Sequence, residues 1–207
     1  MNDKEIFLDS YYKQFNELYD ISKKELEQLY DENTYSGYPI EPGGSVWVNE
    51  GKALYCSIRI TKPSFILEIG NFKGVSTNHI LLAVENNNYG EVHLVDIEDQ
   101  LNYEKLHNRN FERYVDDSLS FLNKELSYDY YVQDGCHEYN HVKEELQLII
   151  NNTQNNFHIW SHDYYTIPRS NVNVYRAWEE MKNEFKNFSP MKEDRSDCGF
   201  VLAEYVK

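Results

Sequence analysis

Between Phe65 and Asn78 the chain passes from a short apolar run, Phe65-Ile-Leu-Glu-Ile69, through Gly70 and Gly74 into an amphipathic segment. An apolar run of that length closed by a glycine reads as a buried strand, and the second glycine marks a turn that opens a helix. A helix that starts just after a strand presents unpaired backbone N–H groups, the usual way an α/β protein holds a nucleotide-like ligand. This one stretch restricts the chain to folds in which strand and helix alternate.

The remaining sequence keeps to that alternation. Phe65–Ile69, Val92–Val95, 111–115, 128–133, Phe157–Trp160 and 200–206 are strand candidates. Between them lie apolar stripes at helical spacing, one through Val142, Leu146, Ile149 and Ile150, another through Val174, Trp178, Met181, Phe185 and Phe188. Short apolar strands separated by helices predict an α/β fold with a mostly parallel seven-stranded sheet covered on both faces. No helical pattern separates Ser189 from the final strand, which predicts a closing antiparallel hairpin and an antiparallel last strand.

Upstream, the run from Trp47 to Ile60 reads as a helix stopped by Pro63. Residues 5–30 show helical spacing, and Asn33 to Ser45 form a loop rich in Gly and Pro, either a linker or a substrate-covering lid. The expected organisation is a helical cap and loop over residues 1–45 and a single globular unit over 46–207, since 207 residues suit one substantial core.

A net charge of −15 removes nucleic acid and anionic membrane surfaces from the expected partners. No apolar run approaches ~20 residues, and the N-terminus has no basic segment followed by an apolar one, so the expectation is a soluble, cytoplasmic protein. Cys56, Cys136 and Cys198 are odd in number and lack metal-type spacing, which suits free thiols in a reducing compartment.

Ligands of open parallel sheets sit beyond the carboxyl ends of the strands. At those ends this chain places Glu68 and Gly70, Asp96, Asp117 and Ser118, Asp134 to His137, and His162 with Asp163. Gly70-Asn-Phe-Lys-Gly74 is neither the G-x-G-x-x-G of dinucleotide sites nor a P-loop. Glu68 would repel a pyrophosphate but accept an amino group, and Asp96 ends the next strand, where a carboxylate can bind ribose hydroxyls. Together they favour a nucleoside with a positive, amino-acid-like tail. A tight strand–helix turn without a ligand is the bland alternative for the glycines, and a helix N-cap is the alternative for Asp117 and Ser118.

These residues resemble the class I S-adenosylmethionine-dependent methyltransferases. Leu67-Glu-Ile-Gly-Asn-Phe-Lys-Gly-Val-Ser-Thr77 is similar to their first motif; Asp134-Gly-Cys-His-Glu-Tyr139 and Trp160-Ser-His-Asp-Tyr164 resemble later blocks of small-molecule O-methyltransferases. The resemblance covers about residues 46–206 and implies a Rossmann-like fold and S-adenosyl-L-methionine as cofactor. It implies that Glu68, Gly70, Asn71, Phe72, Gly74, Ser76, Asp96, Ile97, Asp117, Ser118 and Asp134 bind that cofactor. The implied acceptor is a small hydroxylated molecule such as a sugar, and a homo-oligomer is compatible with it.

A hydroxyl must lose its proton to accept a methyl group, through a general base or a metal that lowers its pKa. Asp134, His137 and His162 are the candidate catalytic residues, and either imidazole can serve as base near neutral pH. Asp134, Asp163 and His162 are the candidate ligands of a divalent cation, Mg2+ or Mn2+. Related sugar O-methyltransferases often carry Asp at the positions of Cys136 and His162, so this chain shifts weight from metal to imidazole. For His162 a structural role across the strand ends is the competing reading. Tyr139, Tyr164 and Tyr165 are candidates for the acceptor cavity, and Arg169 for an acceptor anion or a solvated surface. Two rivals remain at this stage: a nucleotide-dependent sugar-modifying enzyme or oxidoreductase, and a catalytically inactive cofactor-binding scaffold.

Overall fold

The computed structural model describes Glu17, Glu25, Leu26, Thr34–Tyr35, Tyr38–Pro39 and residues 46–166, 173–192 and 198–207. Apart from those few positions, the expected helices of residues 5–30, the Gly37–Gly44 loop and Arg169 lie outside the described residues. Thr34–Tyr35 pairs antiparallel with Tyr38–Pro39.

Seven strands make one sheet: β1 Phe65–Ile69, β2 Glu91–Asp96, β3 Glu112–Val115, β4 Tyr130–Gln133, β5 Phe157–His162, β6 Asn187–Met191 and β7 Phe200–Tyr205. Their spatial order is β3-β2-β1-β4-β5-β7-β6. The first five run parallel, and β7 lies antiparallel between β5 and β6. The expected Rossmann-like sheet and its closing antiparallel hairpin are both present. The order reverses between β1 and β4, and a topological switch of this kind opens a crevice at the carboxyl ends of the central strands.

The chain divides into two compact units. In the helical unit, α1 (Val48–Thr61) packs on α2 (Val75–Asn87). Lys62, in the left-handed conformation, ends α1 just before Pro63, which could not extend it. The two helices are tied by Arg59 Nη1 donating to Asn87 Oδ1 (3.0 Å) and Asn87 Nδ2 donating to the Ile58 carbonyl (3.1 Å).

The sheet unit holds all seven strands with α3 (Ser118–Leu122), α4 (Tyr139–Asn152) and α5 (Val174–Met181). Its core joins Leu67, Ile69, Val95, Tyr131, Phe157 and Ile159 on the sheet to Phe121, Val142, Leu146, Ile149 and Trp178 on those helices. The alternate strand residues Ile66, Glu68, Leu94, Tyr130, Val132 and Trp160 are buried too, so the central strands are covered on both faces. That is why they read as continuous apolar runs and not as alternating ones. Among the described residues, no helix is long and apolar enough to cross a membrane.

The apolar stripe from Val174 to Phe188 is not one helix. α5 ends at Met181, a single 3-10 turn spans Lys182–Glu184, Phe185 is extended and Phe188 lies on β6. The chain turns back beside the helix, so both phenylalanines still reach Trp178, with ring centroids 5.1 and 5.8 Å away. Helical spacing arose here from two elements that share one core.

Asp129 secures the start of the central strand. Its two carboxylate oxygens accept from the Ser64 and Phe65 backbone N–H groups, both at 2.9 Å. Asp129→Ala leaves two donors without their acceptor at a half-buried strand end and is expected to cost about 1 kcal/mol, read as a lower urea midpoint with an unchanged slope.

Candidate active site

The loop after β1 is shaped by close approach to the exit of β4. Gly70 has φ +80°, and a Cβ there would stand 2.3 Å from the Asp134 carbonyl oxygen and 2.5 Å from the Gly135 Cα. The Gly70 N–H donates to the Val95 carbonyl and the Asp134 N–H to the Ile69 carbonyl, each at 2.9 Å. Glycine is therefore required at this position on both steric and conformational grounds.

Neighbouring side chains hold the loop. Arg113, on β3, donates from Nη1 to Asn71 Oδ1 (2.9 Å) and from Nη2 to the Glu98 carbonyl (2.7 Å). Its Nε lies 3.2 Å from the Asp99 carboxylate. Phe72 sits at φ +41°, and its N–H donates to Asp96 Oδ2 at 2.9 Å. Asp96 thus has one backbone donor here and a longer one from Glu98 (3.4 Å), which leaves lone pairs for further hydroxyl donors. Beside it stand three exposed apolar side chains at strand ends: Ile97 (70% exposed), Val115 (60%) and Phe72 (39%). Glu68 is fully buried within β1. Gly74 (φ +91°) and the buried Ser76 belong to the helical unit, where Gly74 caps α2.

At the end of β3 the helix cap falls on the first of the two candidate residues. Asp117 is the N-cap of α3, its Oδ2 accepting from the Ser120 N–H at 2.9 Å, and Ser118 is the first helical residue. An aspartate accepts this bond as well as a serine does, so residue type alone does not choose between neighbours. The Ser118 hydroxyl instead turns inward, donating to Glu145 Oε1 (2.5 Å) beside His141 Nε2 (2.9 Å). Hydrogen bonding to Glu145 holds the His141 imidazole above its ordinary range, against the opposing pull of burial.

Four chemistry-bearing side chains meet beyond the paired ends of β4 and β5. Asp134 follows β4, His162 ends β5, and Asp163 follows it in the left-handed conformation (φ +61°). Thr166 Oγ1 donates to Asp163 Oδ1 at 2.6 Å and stabilises that turn. Such strain in a non-glycine residue persists where the surroundings over-determine it, commonly at functional sites. His162 Nδ1 is 3.2 Å from Asp134 Oδ1 and 3.7 Å from Asp163 Oδ2. His137 Nε2 is 3.4 Å from Asp134 Oδ1 and 3.1 Å from Asp163 Oδ2.

The electrostatics follow from this geometry. Burial pulls the His137 imidazole down, but its hydrogen bond to Asp134 and the charges of Asp134 and Asp163 carry it above its ordinary value. Burial pushes the Asp163 carboxyl up, yet the hydrogen bond and charge of His162, together with His137 and Thr166, hold it well below the usual carboxylate range. Burial raises the Cys136 thiol, which disfavours it as a nucleophile. Asp134, His162 and Asp163 each offer a ligand atom within 4.8 Å of the others, a donor set of one nitrogen and two oxygens that fits a divalent cation.

Two of the tyrosines expected in the acceptor cavity direct their hydroxyls to α5. Tyr139 Oη donates to Glu180 (2.7 Å) and Tyr164 Oη to Glu179 (2.8 Å), both on α5, and the Arg176 guanidinium lies over the Tyr139 ring. Tyr164 is buried, and Tyr165 packs edge-on against it. Sequence reasoning missed Glu145, Gln133, Ser161 and Arg113. Glu145 had a visible signal, an acid inside the apolar stripe of α4.

Residues 67–164 match the family model described as a methyltransferase domain. No match was found among curated protein sequences. Among solved structures, the chain is similar to an O-methyltransferase from Bacillus cereus in complex with SAH, at 18% identity and a TM-score of 0.66, covering 93% of this chain and 96% of that one. It is also similar to TomG of Streptomyces achromogenes, an O-methyltransferase of tomaymycin synthesis in complex with SAM, at 16% identity, a TM-score of 0.64 and full coverage of both chains. A candidate O-methyltransferase from Nostoc punctiforme shares 12% identity with a TM-score of 0.59 over 75% of this chain, which spans only 56% of that protein. At these identities the likenesses establish the fold.

Proposed function

We propose that this chain, which matches a methyltransferase domain over residues 67–164, is a class I S-adenosylmethionine-dependent methyltransferase that methylates a hydroxyl group of a small polar acceptor, with a sugar as the favoured class and the cytoplasm as the compartment. The observation that carries this reading is the convergence of His137 and His162 on the carboxylates of Asp134 and Asp163, at 3.1 to 3.7 Å, beyond adjacent strand ends. A site that must deprotonate a hydroxyl needs a held base, and these four residues supply one.

The cofactor side fits the sheet unit's residues. Gly70 gives the backbone its close approach to Asp134, Asp96 keeps acceptor capacity for ribose hydroxyls, and Phe72, Ile97 and Val115 offer apolar surface to a flat ring. Glu68, Asn71, Asp117 and Ser118 complete that side in our reading, Ser118 through its backbone since its hydroxyl serves Glu145. S-adenosylmethionine, when bound, supplies an electrophilic methyl group on a sulfonium.

Exposure separates the two imidazoles. The His137 side chain is 36% exposed, whereas that of His162 is only 6% exposed and its ring stacks on Trp160 with centroids 5.5 Å apart. We therefore assign His137 as the base that accepts the acceptor hydroxyl proton at Nδ1, its Nε2–H being turned to the two carboxylates, and His162 as the residue that orients Asp134. Asp163 faces His137 Nε2 and stabilises the imidazolium that results. Asp134, His162 and Asp163 would hold a divalent cation, Mg2+ or Mn2+, which would lower the pKa of a hydroxyl.

Calorimetric titration tests the cofactor half directly. Folded protein is expected to bind S-adenosylmethionine or S-adenosylhomocysteine with micromolar affinity, and absence of binding at millimolar ligand would sink the reading. For the cation, turnover is expected to fall on exhaustive chelation and to return with Mn2+. Activity that survives chelation and Asp163→Asn unchanged would remove the metal from the proposal.

A further inference from the structure

We propose that Glu145 is a positioning residue that ties the cofactor-side corner at Ser118 to the strand tips that carry Asp134 and His162. The proposal rests on the methyltransferase reading above. Glu145 lies on α4 with its side chain fully buried, where a carboxylate persists only if its oxygens are satisfied. They are satisfied by a chain of hydrogen bonds that all run toward it. Trp178 Nε1–H donates to Ser161 Oγ (2.9 Å), the Ser161 hydroxyl to Gln133 Oε1 (2.7 Å), and Gln133 Nε2 to Glu145 Oε2 (2.6 Å). From the other side the Ser118 hydroxyl donates to Glu145 Oε1 (2.5 Å), and His141 Nε2 stands 3.2 Å from the same oxygen.

The placement of the middle links gives the chain its consequence. Gln133 and Ser161 are register partners at the last paired rung of β4 and β5, and their side chains bond across it. One residue beyond each stand Asp134 and His162, 3.2 Å apart. Whatever fixes the Gln133–Ser161 rung fixes the spacing of that pair. Glu145 Oε2 accepts from the Gln133 amide N–H, which sets the direction of that amide and hence of the bonds behind it. Glu145→Gln keeps the shape but replaces one of the two accepting oxygens by a donor, where either Gln133 or Ser118 already donates, so one end of the chain must reverse or break.

The test uses the full-length protein with S-adenosylhomocysteine, which needs no knowledge of the acceptor, and reads calorimetric affinity together with the Trp178 indole N–H resonance. In the wild type, ligand binding is expected to shift that resonance. Glu145→Gln is expected to weaken binding about tenfold and abolish the indole response. Ser161→Ala cuts the chain beyond Gln133, so it should keep affinity and lose only the response. A merely structural Glu145 would lower the thermal midpoint with affinity and response intact, and that result overturns the proposal. Should Glu145→Gln not fold, Ser118→Ala and Gln133→Leu cut the same chain, and wild-type affinity and response in both would overturn it equally. If the folded wild type binds no S-adenosylhomocysteine, the cofactor reading fails and takes the proposal with it; wild-type binding that Glu145→Gln matches overturns the proposal alone.

Discussion

Gly70→Ala is expected to abolish cofactor binding and to destabilise the sheet unit. The left-handed φ of +80° costs an L-residue about 1–2 kcal/mol, and overpacking adds about 1–3 kcal/mol. The second effect is unusually firm at this site, because the atoms a Cβ would meet are the Asp134 carbonyl oxygen and the Gly135 Cα, backbone on the neighbouring strand exit. Backbone cannot swing aside as the end of a flexible side chain does. Relief must come from moving the β1 loop away from Asp134, which also moves Asn71 and Phe72 and breaks the bond from the Phe72 N–H to Asp96. Gly135→Ala is the control. There the nearest atom a Cβ meets is the Ile69 methyl at 3.3 Å, the others lie at ordinary contact distance, and no left-handed backbone is involved. Urea denaturation and calorimetry on the two variants should show a large loss of both stability and S-adenosylhomocysteine binding for Gly70→Ala alone. Equal behaviour of the two would mean that the loop is not held as described.

The part of this site that could be read in advance depended on local signals. A five-residue apolar run ending in a glycine marks β1 and its loop regardless of tertiary context, and the acids at successive strand ends fall where a parallel sheet puts them. The missing helical pattern after Ser189 likewise announced the hairpin of β6 and β7. What could not be read were the choices made between distant partners. Phe185 and Phe188 continue the spacing of α5 because the chain folds back on the same core, and periodicity does not register a reversal. The Ser118 hydroxyl turns inward because Glu145, on another helix, accepts its bond, which leaves the cap to Asp117. Tyr139 and Tyr164 have the composition of pocket residues, yet Glu180 and Glu179 on α5 take their hydroxyls. In each case a long-range polar partner decided the direction of a side chain whose type was ambiguous.

His137→Ala is expected to reduce turnover by about 10²–10⁴-fold while leaving S-adenosylhomocysteine affinity within about threefold, since uncoupling of turnover from binding distinguishes loss of a base from loss of a ligand contact. The same residue sets the expected pH profile. Its two carboxylate neighbours favour the imidazolium and hold its pKa above the ordinary value, so the base form is depleted near neutrality. A base must be deprotonated to act, so turnover should rise with pH along a limb displaced above the usual imidazole range. Asp163→Asn removes the anion 3.1 Å from His137 Nε2, which lowers that pKa and moves the limb toward lower pH. Two effects then oppose each other in the variant. More base is available at neutral pH, but the imidazolium formed on proton transfer has lost its stabilising charge, so the plateau at high pH should fall. A displaced limb with a reduced plateau therefore identifies His137 as the base, with Asp163 as its electrostatic partner. A limb that stays in place in Asp163→Asn, or that persists in His137→Ala, assigns the proton to another group, and His162 is then the residue to test.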